Sequence, residues 1–169
     1  RTGAEEHGVE AHQILCAMRG SPEAACFELA RLAAATRNRA TRGVVGIDLA
    51  GDEYNFNNSQ SNVEGCFQYA KQELLLNTTV HAGEAYTDVH QTFADVRSAV
   101  EVMLADRVGH GYAAVQDEAT LDLLARRRVH LEACPAGGHA NRDAINLPAT
   151  GIYQRRGLSF GSTAAPLAP

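Results

Sequence analysis

The stretch GVVGIDL, at residues 43–49, is an apolar run that reaches its first charged side chain only at Asp48. Strands inside a parallel sheet are apolar on both faces because helices cover the sheet, and this run has that composition. Five other short runs have strand character, and helical segments separate them. The alternation predicts an α/β protein with a parallel sheet. The six predicted strands are residues 14–18, 43–49, 78–82, 107–110, 129–134 and 158–162.

Helix start signals support this alternation. A capping residue followed by proline, or by an acidic or amide side chain three positions later, is typical of a helix N-terminus. The predicted helices follow Ser21-Pro22 (residues 23–37), Ser61 with Glu64 (to about residue 75), Asp88 with Gln91 (89–105) and Asp117 (118–128), and a fifth with weaker signals covers 148–156.

The composition excludes several classes of protein. With 169 residues, the chain is long enough for a single domain with its own core, and we expect one domain over residues 1–169. The longest apolar runs are too short to cross a membrane. A net charge of −5 argues against a protein that binds nucleic-acid phosphates. The N-terminal residues contain neither an apolar signal core nor an initiator Met, so we expect a processed chain or a fragment.

The four cysteines are widely scattered and form no CxxC pair. This spacing argues against both a structural zinc site and a disulfide framework. We therefore expect a reducing, cytoplasmic location. The cysteines are Cys16, Cys26, Cys66 and Cys134.

Polar side chains gather where the predicted strands end. In parallel α/β folds the carboxyl ends of the strands point the same way and carry the functional site. Contributions from several strands favour a barrel over a doubly wound sheet, and no GxGxxG or Walker pattern follows the first strand. The strand-end residues are Asp48, His81, Glu84, His110, Glu132 and Thr163.

The chemistry of these residues is compatible with metal-assisted hydrolysis. A histidine at a strand end can bind a metal or orient a water, and a partly desolvated glutamate can shuttle protons. Structural roles are open as well: His110 as a hydrogen-bonded residue, Asp48 as a cap of the next loop, and Glu132 as a buried hydrogen-bonding partner. The remaining histidines fall outside the strand-end pattern and are given no role: His7, His12, His90, His130 and His139.

Five motifs together resemble one enzyme family. ILCAMR, VVGIDLAGDE, TVHAGE, RVGHGY and HLEACP occur in the order seen in adenosine deaminases. Members of that family are zinc-dependent TIM barrels, hydrolases that convert adenosine to inosine and ammonia. The similarity runs from about residue 14 to residue 166, and the joint occurrence of DLAGDE, HAGE and GHGY is highly specific. The resemblance therefore implies a parallel (β/α) barrel and a purine nucleoside as substrate.

The resemblance also assigns roles to individual residues. His81 matches a zinc ligand, and Glu84 matches the acid that protonates the purine ring at N1. His110 matches the histidine that orients the attacking hydroxide. Gly51 matches the glycine whose backbone N–H contacts the purine N3. In zinc deaminases the metal lowers the pKa of water and a non-ligand glutamate moves protons.

The chain departs from the family pattern at both ends. The family's first strand carries an HxH motif with two zinc ligands, and neither it nor the second strand is present here. About six of eight barrel units are therefore expected. The family's last strand ends in two aspartates, and Ala164 and Ala165 occupy the matching positions. Leu147 also stands where the family usually has histidine before Pro148.

These departures predict weak zinc binding and poor or absent deamination, because zinc needs three or four protein ligands and only His81 remains of the family's four. Three alternatives stay open: a partial chain of an adenosine deaminase, a degenerate non-catalytic paralogue that acts in binding or as a scaffold, and a related amidohydrolase for another purine. An unclosed barrel exposes strand edges, so we also expect self-association.

Overall fold

The computed structural model describes residues 7, 11–37, 43–53, 60–84, 89–134 and 143–162. In these residues, six parallel strands form one sheet in which the spatial order follows the chain order. The prediction of a parallel α/β sheet is confirmed. The strands are β1 (Gln13–Met18), β2 (Val44–Ala50), β3 (Asn77–Ala82), β4 (Arg107–His110), β5 (His130–Ala133) and β6 (Phe160–Ser162).

One α-helix lies between each pair of consecutive strands in the sequence. Parallel neighbours need such a crossover, so strict alternation with sequential strand order is the connectivity of a β/α barrel. Short 3₁₀ helices at Ser61–Val63 and Tyr112–Gln116 precede the second and fourth helices. The α-helices are α1 (Glu23–Ala35), α2 (Glu64–Gln72), α3 (Val89–Glu101), α4 (Glu118–Arg127) and α5 (Asp143–Arg155).

The hydrophobic core includes strand and helix side chains. Several strand side chains are completely buried, among them Leu49, Val80 and Leu131. They belong to the same buried cluster as Phe67 of α2 and Val96 of α3. Each large apolar side chain buried in this way contributes about 1.5–3 kcal/mol relative to exposure. The residues between them in the strands point to the other face of the sheet, and several are polar.

Two helices start at other residues than predicted, and α3 ends at Glu101, four residues before the predicted end at 105. Ser61 begins a 3₁₀ turn and not an α-helix, and the Glu64 carboxylate accepts a hydrogen bond from Ser98 Oγ (2.7 Å). The predicted capping box is therefore wrong. Helix α5 begins at Asp143, five residues before the predicted start at Pro148. The predicted cap at Asp117 is confirmed, because its carboxylate accepts from the Thr120 N–H at 2.8 Å. Asp88 lies outside the described residues.

Cys26 of α1 and Cys66 of α2 form a disulfide, which corrects the expectation of no disulfide. The two residues are 40 positions apart, and sequence spacing gave no sign that their helices pack side by side. Cys16 and Cys134 are not part of a disulfide. The disulfide removes the cysteine argument for a reducing compartment, so a cytoplasmic location stays a prediction. Within the described part of the chain, no helix has the length and apolar character that a membrane span requires.

Candidate active site

The candidate site lies at the carboxyl ends of β2, β3 and β4. Parallel register places His81 opposite Gly109 and Ala82 opposite His110, so the two histidines end neighbouring strands. Their ring centroids are 5.2 Å apart. Asp48 of β2 reaches the same area, although it is 33 residues away from His81 in the sequence. The strand register therefore brings the three motifs together, as their strand-end positions predicted.

Asp48 orients the His81 ring. The distance from His81 Nδ1 to Asp48 Oδ1 is 3.1 Å. This hydrogen bond is the main reason why the pKa of His81 is raised, while burial of the ring opposes the shift. A carboxylate at Nδ1 holds the proton on that nitrogen, so a neutral ring keeps its lone pair on Nε2. Metal-binding histidines are commonly oriented in this way. The role of Asp48 is thus to hydrogen-bond His81, which differs from the alternative of capping the next loop.

Glu84 and His110 form the second pair of the site. His110 Nε2 lies 3.4 Å from Glu84 Oε2. The His110 side chain is 13% exposed and the Glu84 side chain is 31% exposed. The described residues therefore shield this carboxyl from water only in part.

Gly109 leaves room for the His81 ring. A Cβ atom added at Gly109 would lie 2.8 Å from both Cδ2 and Cγ of His81. Any side chain there would displace the ring from its present position. Gly83 is equally constrained, since its φ is +74° and an added Cβ would lie 2.6 Å from Val96 Cγ2. The glycines of HAGE and GHGY are thus required by packing.

Two buried tyrosines hold the turn after β4. The Tyr153 hydroxyl donates to the Gly111 carbonyl (2.7 Å), and the Cys134 N–H donates to the Tyr112 hydroxyl. Burial raises the pKa of Tyr112 to about 12, so the phenol stays neutral. His110 itself has a left-handed backbone with φ +64°. A left-handed residue other than glycine costs about 1–2 kcal/mol, so the surrounding contacts must hold it.

Buried charges hold the turn after β3. Arg19, which follows β1, donates from Nη2 to the His81 carbonyl at 2.6 Å. Glu53, which follows β2, accepts from the Glu84 N–H at 3.2 Å. Sequence reasoning missed both residues. The available signal was their position, since each is a charged residue just beyond an apolar strand and inside a quoted motif.

Gly51 lies beside Arg19. Its φ is +120°, and an added Cβ would lie 3.3 Å from both the backbone N and Cβ of Arg19. The positive φ is thus sufficient to favour glycine at this position, and an added side chain would also crowd Arg19. The implied contact between the Gly51 N–H and a purine stays a prediction.

Glu132 and Asp95 are also partly buried carboxylates. Glu132 accepts from Thr79 Oγ1 at 3.2 Å and lies 2.6 Å from Arg107 Nε, which confirms its predicted hydrogen-bonding role. The pKa of Asp95 is raised to about 6, first by burial and then by the nearby Glu53 charge. Arg19 opposes this shift.

The described residues do not by themselves fit a zinc ion. Zinc binds three or four protein ligands, and no group of three or more histidine, cysteine or carboxylate side chains is arranged to hold a metal in the part of the chain that the structure describes. Of the implied ligand positions, the structure places His81. Ala164 and Ala165, and Thr163 before them, lie outside the described residues.

Comparison with known proteins gives a family match over most of the chain. A family model described as adenosine deaminase matches residues 1–146. Adenosine deaminase from Mus musculus is 34% identical over 135 residues, which cover 79% of this chain and 35% of that protein. Adenosine deaminase from Xenopus tropicalis is 33% identical over 176 residues, covering 96% of this chain and 46% of that protein. The chain thus spans a third to a half of the length of these curated relatives.

Solved structures show the same fold. Adenine deaminase from Arthrobacter aurescens superimposes with a TM-score of 0.72 at 23% identity, over 94% of this chain and 46% of that one. An amidohydrolase from Burkholderia ambifaria, with bound zinc, gives a TM-score of 0.74 at 19% identity, over 94% of this chain and 42% of that one. At these identities the likeness concerns the fold alone.

Proposed function

We propose, because this chain belongs to the adenosine deaminase family, that it carries part of the machinery that hydrolyses adenosine to inosine and ammonia. In this proposal Glu84 is the acid that protonates the purine ring and His110 orients the attacking water. His81 is one ligand of a zinc ion, and the Gly51 N–H contacts the purine. The observation that carries the proposal is the meeting of two pairs, His81 with Asp48 and His110 with Glu84, at neighbouring strand ends.

The arrangement supports proton transfer by Glu84. Its carboxyl group lies beside a histidine nitrogen and at the open end of the sheet, where a purine could approach. General acid catalysis of this kind contributes about 10²–10⁴-fold to a rate. Removal of the carboxyl proton in Glu84→Gln should therefore cost at least this much in any active form of the protein.

We further propose that the 169-residue chain binds zinc weakly and deaminates adenosine poorly or not at all. The support is the small number of ligands, since among the described residues His81 alone matches a zinc-ligand position of the family. Ala164 and Ala165 carry methyl groups, which cannot coordinate a cation. A zinc ion bound by one histidine would be lost on dialysis, because structural and catalytic zinc sites need three or more protein ligands.

Elemental analysis and an adenosine assay test this proposal together. After incubation with zinc and dialysis, the purified chain should contain much less than one zinc per chain. Adenosine absorbance should fall no faster than with the Glu84→Gln variant. Stoichiometric zinc, together with a loss of absorbance that Glu84→Gln abolishes, would contradict the proposal.

A second candidate function is purine binding without catalysis. The alanines at positions 164 and 165 favour it, because a degenerate paralogue can keep a pocket after losing its metal ligands. Calorimetry with inosine and adenosine would detect such binding, and His110→Ala should weaken it. The coding sequence upstream of Arg1 separates the candidates, since an HxH motif there favours the enzyme.

We also propose that the chain self-associates through its outer strands. In the described sheet, β1 and β6 each have a single neighbouring strand. On β1, Ile14 and Met18 are 39% and 54% exposed. An apolar edge with free backbone groups is a template for pairing with another chain. Sedimentation should show dimers or larger species, whereas a monomer with one sharp unfolding transition would contradict this.

A further inference from the structure

We propose that Arg19 and Glu53 are positioning residues that hold the two ends of the turn from His81 to Glu84. Arg19 Nη2 donates to the carbonyl of His81 at 2.6 Å. Glu53 Oε2 accepts from the N–H of Glu84 at 3.2 Å. Arg19 thus binds the backbone where the turn begins, and Glu53 binds it where the turn ends.

The pair is buried, which makes its position on this turn informative. The Arg19 side chain is 1% exposed and the Glu53 side chain is 7% exposed, and their closest charged atoms are 3.9 Å apart. A buried ion pair of this kind contributes little net stability, because desolvation of the two charges offsets their attraction. Stability alone therefore does not explain why two charges lie here. The hydrogen bonds from these two side chains to the backbone of the turn explain their position.

Further contacts fix the pair itself. The backbone N–H of Arg19 donates to the Ala50 carbonyl at 2.8 Å, which ties the end of β1 to the end of β2. Gln60 accepts from Arg19 Nη2 at 3.3 Å and donates to the Asp95 carbonyl at 2.8 Å, which ties the pair to α3. The turn is thus connected through the Arg19 backbone and side chain to the ends of β1 and β2 and, by way of Gln60, to α3.

The pair acts on the functional side chains through their backbone. Its hydrogen bonds reach the His81 carbonyl and the Glu84 N–H, and so they set where these two side chains leave the chain. The His81–Asp48 and His110–Glu84 distances depend on that placement. A displacement of about 1 Å in a catalytic group can cost a hundredfold in rate. The catalytic consequence rests on the proposed function, whereas the effect on the turn does not.

A single and a double variant separate the effect of the pair on the geometry of the turn from its effect on stability. Arg19→Met leaves Glu53 buried without its cation and should lower the melting temperature. The double variant Arg19→Met/Glu53→Leu removes both charges and should regain most of that temperature. It should not restore the geometry of the turn from His81 to Glu84. We expect the Glu84 amide to exchange its hydrogen about tenfold faster than in the wild-type chain, and the His81 and His110 ring resonances to shift.

Two controls sharpen this experiment. Glu53→Gln keeps an oxygen acceptor for the Glu84 N–H, so the exchange rate of that amide should stay within about threefold of wild type. This variant also serves if the double variant fails to fold, because Glu53→Leu alone should then accelerate exchange where Glu53→Gln does not. The exposed pair Arg97–Glu101 is the matched surface control, and Arg97→Met/Glu101→Leu should change neither the amide exchange nor the ring resonances.

The proposal is overturned if the Glu84 amide exchange rate and the histidine ring resonances change in parallel with the melting temperature. Recovery of both in the double variant, or equal exchange in Glu53→Gln and Glu53→Leu, would show a purely structural pair. These readouts need no substrate, so they remain valid if the proposed deaminase function fails. In a longer active form, the variants should lower kcat more than they change KM.

Discussion

The turns after β3 and β4 present the motif side chains side by side, but different interactions hold them. The β3 turn depends on the buried charges of Arg19 and Glu53. The β4 turn depends on the neutral hydroxyl of Tyr153 and on the left-handed backbone of His110. The first turn should therefore respond to changes in charge and pH. The second should respond to changes in shape and to loss of a neutral hydrogen bond.

The largest expected effect comes from crowding of the β3 turn. Gly83→Ala combines a positive φ with a Cβ only 2.6 Å from Val96. We expect a loss of about 2–4 kcal/mol in the free energy of unfolding, measured by urea denaturation. Gly157→Ala is the control, because its φ is +65° and nothing lies within 4 Å of an added Cβ. It should cost about 1 kcal/mol. Equal losses in the two variants would show that the close packing at Gly83 is unimportant.

The next effect tests the hydroxyl that holds the β4 turn. Tyr153→Phe removes the donor to the Gly111 carbonyl and leaves the ring in place. We expect a loss of about 0.5–1.5 kcal/mol in urea denaturation, because one buried hydrogen bond is lost, while the Gly111 carbonyl still accepts from the Ala114 N–H at 3.0 Å. The His110 ring resonances should shift, while those of His81 should move less. Equal shifts at the two histidines would show that the turns are not held independently.

Prediction from sequence succeeded where the pattern is local. The strand character of residues 43–49 and the position of His81 at a strand end follow from runs of a few residues, and the structure confirms them. The Asp48–His81 bond and the Cys26–Cys66 disulfide join residues 33 and 40 positions apart. Such contacts depend on strand register and helix packing, which local periodicity does not specify.

The roles of Arg19 and Glu53 were missed for a related reason. A charged residue after a strand is ordinarily solvated, and nothing local distinguishes a buried one. Their burial follows from the convergence of three strand ends, and Arg19 and His81 are 62 positions apart in the sequence. The early start of α5 has no comparable explanation in the contacts of the described residues.

A smaller effect concerns the pH dependence of stability, which depends on the Asp95 carboxyl near Arg19 and Glu53. The pKa of Asp95 is about 6 in the folded chain, above its ordinary value of 3.8. The stabilising contribution of a raised carboxyl pKa is complete below the ordinary value and is lost as pH rises through 6. The melting temperature of the wild-type chain should therefore fall relative to that of Asp95→Asn between pH 4 and pH 7. A constant difference between the two across this range would contradict the raised pKa.

The smallest effect concerns the His81 ring. Asp48→Asn removes the main cause of its raised pKa, so the pKa should fall in an NMR titration. Stability from this pair is present below the ordinary histidine pKa and is lost as pH rises through the raised value. The variant should accordingly cost more stability at pH 5 than at pH 8. An unchanged His81 pKa would rule out the orienting role of Asp48.

The most direct test of the central claim is adenosine turnover by a longer chain that supplies the missing ligands. An upstream segment with the HxH motif would precede Arg1, and Ala164→Asp and Ala165→Asp would restore the last strand. We predict zinc-dependent loss of adenosine absorbance that Glu84→Gln reduces by at least about 10²-fold. A folded, zinc-loaded protein without turnover, or with turnover that Glu84→Gln leaves intact, would contradict the account.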